Sequence, residues 1–242
     1  MVPAGGPSAA DGRKTRYYVF KFYHLRHSTQ LARIHEFVTK GWLPALASHG
    51  GPKIFCEALV APHMPQFMGI VGFESLEEWT VLQARMQANQ EFGKAFAAWE
   101  AGPEPPYEHY SEVLVRAADY SPEITLAPGK TPRIFELRTY HSPTWRQLGA
   151  LHQRFAGPEI KIFHRVGVHP ILYGETVMGP NMPNLTYLTP FDSLAARERA
   201  WDAFAADPEW IKVRRESIEA HGQIASVIQI SLWRATPYSP ER

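Results

Sequence analysis

The sequence predicts an α+β fold: two tandem ferredoxin-like βαββαβ repeats whose sheets pack into one intramolecular α+β barrel. Three observations lead there. The chain matches itself at a shift of 118 residues. Each half reads strand, helix, strand, strand, helix, strand, which is the split βαβ unit. Helices in such a unit cover one face of the sheet, so two copies bury their bare faces against each other.

The repeat is carried by particular residues. Pro52, Glu57, Pro62, Met64 and Pro65 meet Pro170, Glu175, Pro180, Met182 and Pro183. Phe73, Ser75 and Leu76 meet Phe191, Ser193 and Leu194, and Tyr120-Ser121-Pro122 meets Tyr238-Ser239-Pro240. Before residue 51 the shift is 117, pairing Tyr23 with Tyr140, His24 with His141 and His35 with His152. The expected organisation is a disordered leader 1–15, repeat one at 16–117, a Pro/Gly-rich linker 118–132, repeat two at 133–235 and a tail 236–242.

The elements follow in order. Arg16–His24 and Arg133–His141 are aromatic and β-branched runs, hence first strands. A helix opening near Ser28 places Leu31, Ile34, His35, Val38 and Leu46 on one stripe. Its counterpart starts near Pro143 and carries Leu148, Leu151, His152, Phe155 and Ile162. Gly50-Gly51 and Gly167 close these helices. Second strands run over Ile54–Val60 and Ile171–Val177, and third strands over Phe67–Phe73 and Leu185–Phe191. Ser75 to Glu78 is a capping box, and Asp207-Pro208 is an N-cap followed by proline at the first helical position. Fourth strands occupy Tyr110–Val115 and Ala225–Trp233.

Composition excludes several classes. Hydrophobic residues make up 45% of the 242 and charged ones 20%, ordinary for a globular protein. A net charge of +1 gives no basic excess for nucleic acid or an anionic membrane. The lone Cys56 rules out an internal disulfide and any multi-cysteine metal site. No apolar run nears the ~20 residues that span a bilayer. The compartment expected from the sequence as given is cytoplasmic, or exported if a signal segment was removed.

The second half also resembles a known family. RIFELRTY, GETVMGPNMPNLTYL, FDSLAARERAW and DPEW together are similar to NIPSNAP proteins of the dimeric α+β barrel superfamily. FESLEEW and NQEF stand at the matching places in the first half. The resemblance implies the barrel fold and leaves the specific activity open. Animal members are mitochondrial and linked to mitophagy signalling, which implies an interaction role as an alternative.

Several motifs fail. Gly129-Lys130-Thr131 imitates the end of a phosphate loop, but Ile124 stands where the loop needs glycine and Pro132 follows. No nucleophile elbow, zincin or dinucleotide motif is present. Cys56 falls on an apolar strand and reads as structural.

Alternation along the strands nominates a site. Phe135, Leu137 and Thr139 share one face of the first strand of the second half, and Glu136, Arg138 and Tyr140 share the other. If the helices take the apolar face, the polar set lines the barrel. The expected lining is then Lys21, Tyr23, Glu57, Glu136, Arg138, Tyr140, Glu175 and Gln229, with Ser231 beside it and Tyr187 nearby. Glu136, Arg138, Tyr140 and Glu175 are the candidate catalytic groups, because a desolvated carboxylate can act as a base. The same residues can equally satisfy one another as a structural network. His24 and His141 end the first strands, where a pocket mouth could lie. His35 and His152 fall on apolar helix stripes and read as hydrogen-bonded core residues. His24-x-x-His27 and His164-x4-His169 lack a carboxylate at ligand spacing, so no metal site is expected. No cofactor is expected; haem enters only through relatives of the barrel, with no axial ligand identifiable here.

The expected function is binding of a small organic molecule in the barrel interior. The alternatives are a cofactor-independent oxygenase or isomerase, a haem or metal binder, and a non-enzymatic interaction protein. The outer helix faces leave room for a homodimer.

Overall fold

The computed structural model describes residues 14–126 and 133–242. Most of the expected leader lies outside the described residues, as do Gly129-Lys130-Thr131 and the end of the expected linker.

The first half consists of β1 (Tyr17–His24), α1 (Gln30–Phe37), α2 (Leu43–Ala45), β2 (Lys53–Val60), β3 (Gln66–Phe73), α3 (Leu76–Ala88), α4 (Gln90–Glu100) and β4 (His109–Ala117). The second half follows with β5 (Ile134–His141), α5 (Trp145–Arg154), α6 (Ile160–Arg165), β6 (Leu172–Met178), β7 (Asn184–Phe191), α7 (Leu194–Ala206), α8 (Pro208–His221) and β8 (Val227–Ala235). A π-helical turn joins α1 to α2 at Val38–Trp42 and α5 to α6 at Phe155–Glu159, which periodicity did not anticipate.

The strands close into a barrel in the order β1-β3-β2-β8-β5-β7-β6-β4, every pairing antiparallel. Closure is edge to edge, through β2 with β8 and β4 with β6. Those seams are short. β8 meets β2 only from Leu232 to Ala235, and β4 meets β6 only from Leu114 to Ala117. Four antiparallel steps separate β1 from β5, so the two run in the same direction. His24 and His141, at their ends, therefore share one rim of the barrel.

Local chemistry sets the boundaries. Ser75 and Ser193 each accept a backbone N–H three residues on, from Glu78 and Ala196, and open α3 and α7. Asp207 accepts from the N–H groups of Glu209 and Trp210 and opens α8, with Pro208 at its first position. At α1 Thr29 holds the cap position without a side-chain bond, and the Ser28 hydroxyl accepts from the first helical N–H, that of Gln30, at 3.3 Å. Gly167 follows α6 at φ +87°, a conformation that glycine takes without Cβ strain. The Met64-Pro65 and Met182-Pro183 peptide bonds are cis.

Three apolar layers result. Tyr18, Phe20, Ile54, Cys56, Met68, Phe135, Leu137, Leu188 and Trp233 fill the barrel. The helices of the first half cover Tyr23, Phe55 and Phe67 with Ile34, Phe37, Trp42 and Trp99. Those of the second half cover Tyr140, Tyr173 and Tyr187 with Leu151, Phe155, Phe163 and Phe204.

This layering inverts the expected orientation of the strands. Phe135, Leu137 and Thr139 point into the barrel, and Glu136, Arg138 and Tyr140 point to the helices. The reason lies in the closed sheet, whose interior of eight strands is just wide enough to be filled by side chains. That interior takes the more uniformly apolar set. The helix side can accept polar groups because α7 supplies partners for them.

Candidate functional site: the barrel interior

Near the rim, above the packed interior layer, lies a cavity of about 240 Å³. One wall is aromatic, made of Phe20 and Phe22 from β1 and Trp233 from β8. The second half also contributes hydroxyl and amide groups to the lining. Thr139 and Thr186, cross-strand partners, stand 3.0 Å apart through their hydroxyls. Asn184 Oδ1 accepts from the Thr176 hydroxyl at 2.8 Å, and its amide donates to the Asn181 carbonyl at 2.9 Å. Gln229 and Ser231 complete this group, the Ser231 hydroxyl accepting from Trp233 Nε1 at 2.7 Å. Among the described residues no Asp, Glu, Lys or Arg lines it.

His63, from the turn between β2 and β3, lines the mouth. Its ring lies 5.7 Å from that of His24, which stacks on His109 at 4.1 Å. Burial, then His109 and His63, lowers the pKa of His24 below the ordinary histidine value. His24 Nδ1 is buried with no hydrogen-bond partner among the described residues, and so is His141 Nε2. His141 Nδ1 meets the Asn181 carbonyl at 2.9 Å. Among the described residues no group of three or more His, Cys, Asp or Glu could hold a metal ion.

Of the residues nominated from sequence, Gln229 lines the cavity, and His24 and His141 stand at its rim. The others lie outside the barrel. Glu136 is fully buried against α7, bonded to Arg138, Arg197 and, at 2.9 Å, Trp201 Nε1. Arg138 lies 3.6 Å over the Trp201 ring. Burial works against its charge, but Tyr187, Tyr140 and Glu136 outweigh that and raise its pKa. Tyr187 donates to Tyr140 at 2.8 Å in the same layer. Glu57 pairs with His35 at 3.2 Å, and Glu175 with Arg116 and, at 3.7 Å, His152. Lys21 pairs with Glu112 at 2.7 Å, and Tyr23 packs on Trp42 and Trp99. The expected residues of both charge signs are therefore spread over separate ion pairs on the outer side of the sheet, not gathered along the lining of the barrel.

Thr139, Thr186, Asn184, Phe22 and His63 were not nominated. Alternation could have found the first four once the inward face was known, because they share it with Gln229 and Leu137.

Residues 135–240 match the NIPSNAP family model. That stretch of the second half is similar to the NIPSNAP family. No curated protein sequence matches the chain. The whole barrel is similar to solved structures at low identity. An anthrone oxidase-like protein aligns at 14% identity over 92% of both chains, TM-score 0.57. Chlorite dismutase from Candidatus Nitrospira defluvii, in complex with imidazole, aligns at 10% over 91% of both, TM-score 0.52. A NIPSNAP-like domain protein from Burkholderia xenovorans aligns at 24% identity over 45% of this chain and 89% of its own, TM-score 0.40. At these identities the first two likenesses speak to the barrel fold alone. No helix among the described residues is long and apolar enough to cross a membrane.

Proposed function

We propose that the chain binds a small, uncharged, partly aromatic molecule in the barrel interior. One observation carries this reading: Phe20, Phe22 and Trp233 line the cavity together with hydroxyl and amide groups, and no Asp, Glu, Lys or Arg among the described residues lines it. A flat ring would stack on the aromatic side chains and exchange hydrogen bonds with Thr139, Asn184 or Gln229. An apolar cavity of about 150 Å³ already accepts benzene, and this one, at about 240 Å³, is larger. It is smaller than the roughly 300–1,000 Å³ of most cofactor and drug-sized sites, which favours a ligand of one or two rings.

Calorimetric titration with 2-naphthol tests the reading. We expect saturable 1:1 binding that Gln229→Phe, which narrows the cavity beside Thr139, abolishes. Binding that is unchanged in Gln229→Phe overturns the assignment.

One observation favours chemistry in addition to binding. The lowered pKa of His24 keeps its imidazole neutral at pH 7, and His63 beside it opens onto the cavity. A neutral imidazole can accept a proton from an acidic O–H or C–H of a bound ring. His24→Ala would then abolish exchange of ring-adjacent C–H for deuterium in a bound carbon acid while leaving binding intact.

A further inference from the structure

The two halves differ under their helices in a way that the barrel interior does not explain. Lys21 on β1 stands across from Gly69, whereas its counterpart Arg138 on β5 stands across from Tyr187. Eight residues beyond the capping serine, α3 carries Gln83 and α7 carries Trp201. In the second half Tyr187 is fully buried, Trp201 stacks on Arg138, and Glu136 binds both. The space between sheet and helices is filled.

In the first half the same place is open. A cavity of about 210 Å³ lies between β1, β3 and the pair α3 and α4. Phe37, Trp42, Met86, Phe92 and Phe96 wall it, and the exposed Gln83 and Gln87 stand at its edge. Gly69 makes room for it: a Cβ there would stand 3.0 Å from the Trp42 ring, so glycine lets the indole lie against the strand. The sheet separates this cavity from the barrel interior, since Val19, Lys21 and Tyr23 face the helices while Phe20 and Phe22 face inward.

Among the described residues Lys21 is the one charged residue in its lining. Its ammonium is held 2.7 Å from Glu112 and 4.7 Å from the Tyr110 ring centroid. An ammonium has three N–H donors, and the Glu112 pair uses one. Glu112 also neutralises the charge, so a carboxylate ligand would meet its repulsion, whereas a neutral oxygen would not.

We propose that this cavity is a second ligand site, for a single-ring or short-chain apolar molecule carrying one neutral oxygen acceptor that Lys21 binds. The walls supply apolar contact, Lys21 supplies orientation, and the volume exceeds the roughly 150 Å³ that admits benzene.

The probe is 4-propylphenol, titrated into the full chain by calorimetry, with propylbenzene as the ligand lacking an acceptor. Gln83→Trp installs at an exposed position the residue that fills the other half, so folding is preserved and the cavity is plugged. We expect Gln83→Trp to weaken 4-propylphenol at least tenfold. Lys21→Met should weaken 4-propylphenol about tenfold and leave propylbenzene unchanged. Both substitutions are read in a Gln229→Phe background, which closes the barrel site proposed above: there 4-propylphenol should still bind saturably at 1:1. The proposal is overturned if that background shows no saturable binding, if adding Gln83→Trp leaves the binding unchanged, or if adding Lys21→Met weakens propylbenzene as much as 4-propylphenol.

Discussion

His35 Nδ1 and the Tyr238 hydroxyl meet at 2.6 Å although 203 residues separate them. The counterpart pair, His152 Nδ1 and the Tyr120 hydroxyl, meets at 2.7 Å. Each tyrosine follows the last strand of one half and bonds a helix of the other. The backbone repeats the exchange. Thr236 N donates to Phe55 O and Phe55 N to Ser239 Oγ, while Ala118 N donates to Tyr173 O and Tyr173 N to Ser121 Oγ. Thus the Tyr-Ser-Pro segments clasp the two halves across the barrel seams.

Tyr238→Phe removes one bond and leaves a half-buried imidazole nitrogen unpaired, which should cost about 1 kcal/mol. Removing residues 236–242 also strips the bonds from the backbone of Phe55 and should cost several times as much. Thermal unfolding reads both, at roughly 2–4 °C per kcal/mol for a chain of this size.

Glu136→Ala leaves the buried Arg138 without its carboxylate. Breaking a buried pair in this way costs about 3–5 kcal/mol. Chemical denaturation should show that loss. Binding of 2-naphthol to the folded fraction should stay unchanged, because Glu136 faces the helices. Lost binding at full folding would return Glu136 to the site.

Burial raises the pKa of Glu159 to about 7 against the pull of Arg154. A carboxyl raised in the folded state is protonated there while the unfolded chain ionises. Its contribution to stability is therefore highest below the unfolded value near 4.5 and falls as pH rises toward 7. The full span is worth about 3 kcal/mol. Urea denaturation of wild type and Glu159→Gln at pH 5 and pH 8 checks it. The wild type should lose stability relative to the variant at the higher pH, and parallel behaviour would contradict the shift.

Asp207→Ala removes the cap of α8 and the partner of Arg165, which lies 2.8 Å away. The cost should be about 1–2 kcal/mol. Asp207→Asn, which keeps the acceptor oxygen, should recover most of it in the same melt.

The strands, the capping residues and the doubled βαββαβ order were legible because each rests on short-range chemistry. Alternation marks Ile134–His141 as a strand, Ser75 and Asp207 announce their helices, and Gly167 ends one. His35 and His152 are hydrogen-bonded as expected, to tyrosines from the other side of a barrel seam, but both stay partly exposed rather than in the core.

The direction in which each strand faces was not legible. Glu136 and Leu137 alternate either way, and in this fold both faces of the sheet are buried. Which face is the barrel depends on partners remote in sequence: Arg197 and Trp201 receive Glu136, and Leu188 and Ser231 flank Leu137 in the ladder. The cavities follow from the same long-range facts. Phe22 and Thr186 come to line one cavity only when the barrel closes, and Gly69 and Tyr187 differ in effect only because Trp42 and Trp201 lie over the sheet. Periodicity is a property of neighbours along the chain. Facing and enclosure are properties of neighbours in space, set by which packing satisfies the polar groups and fills the apolar volume.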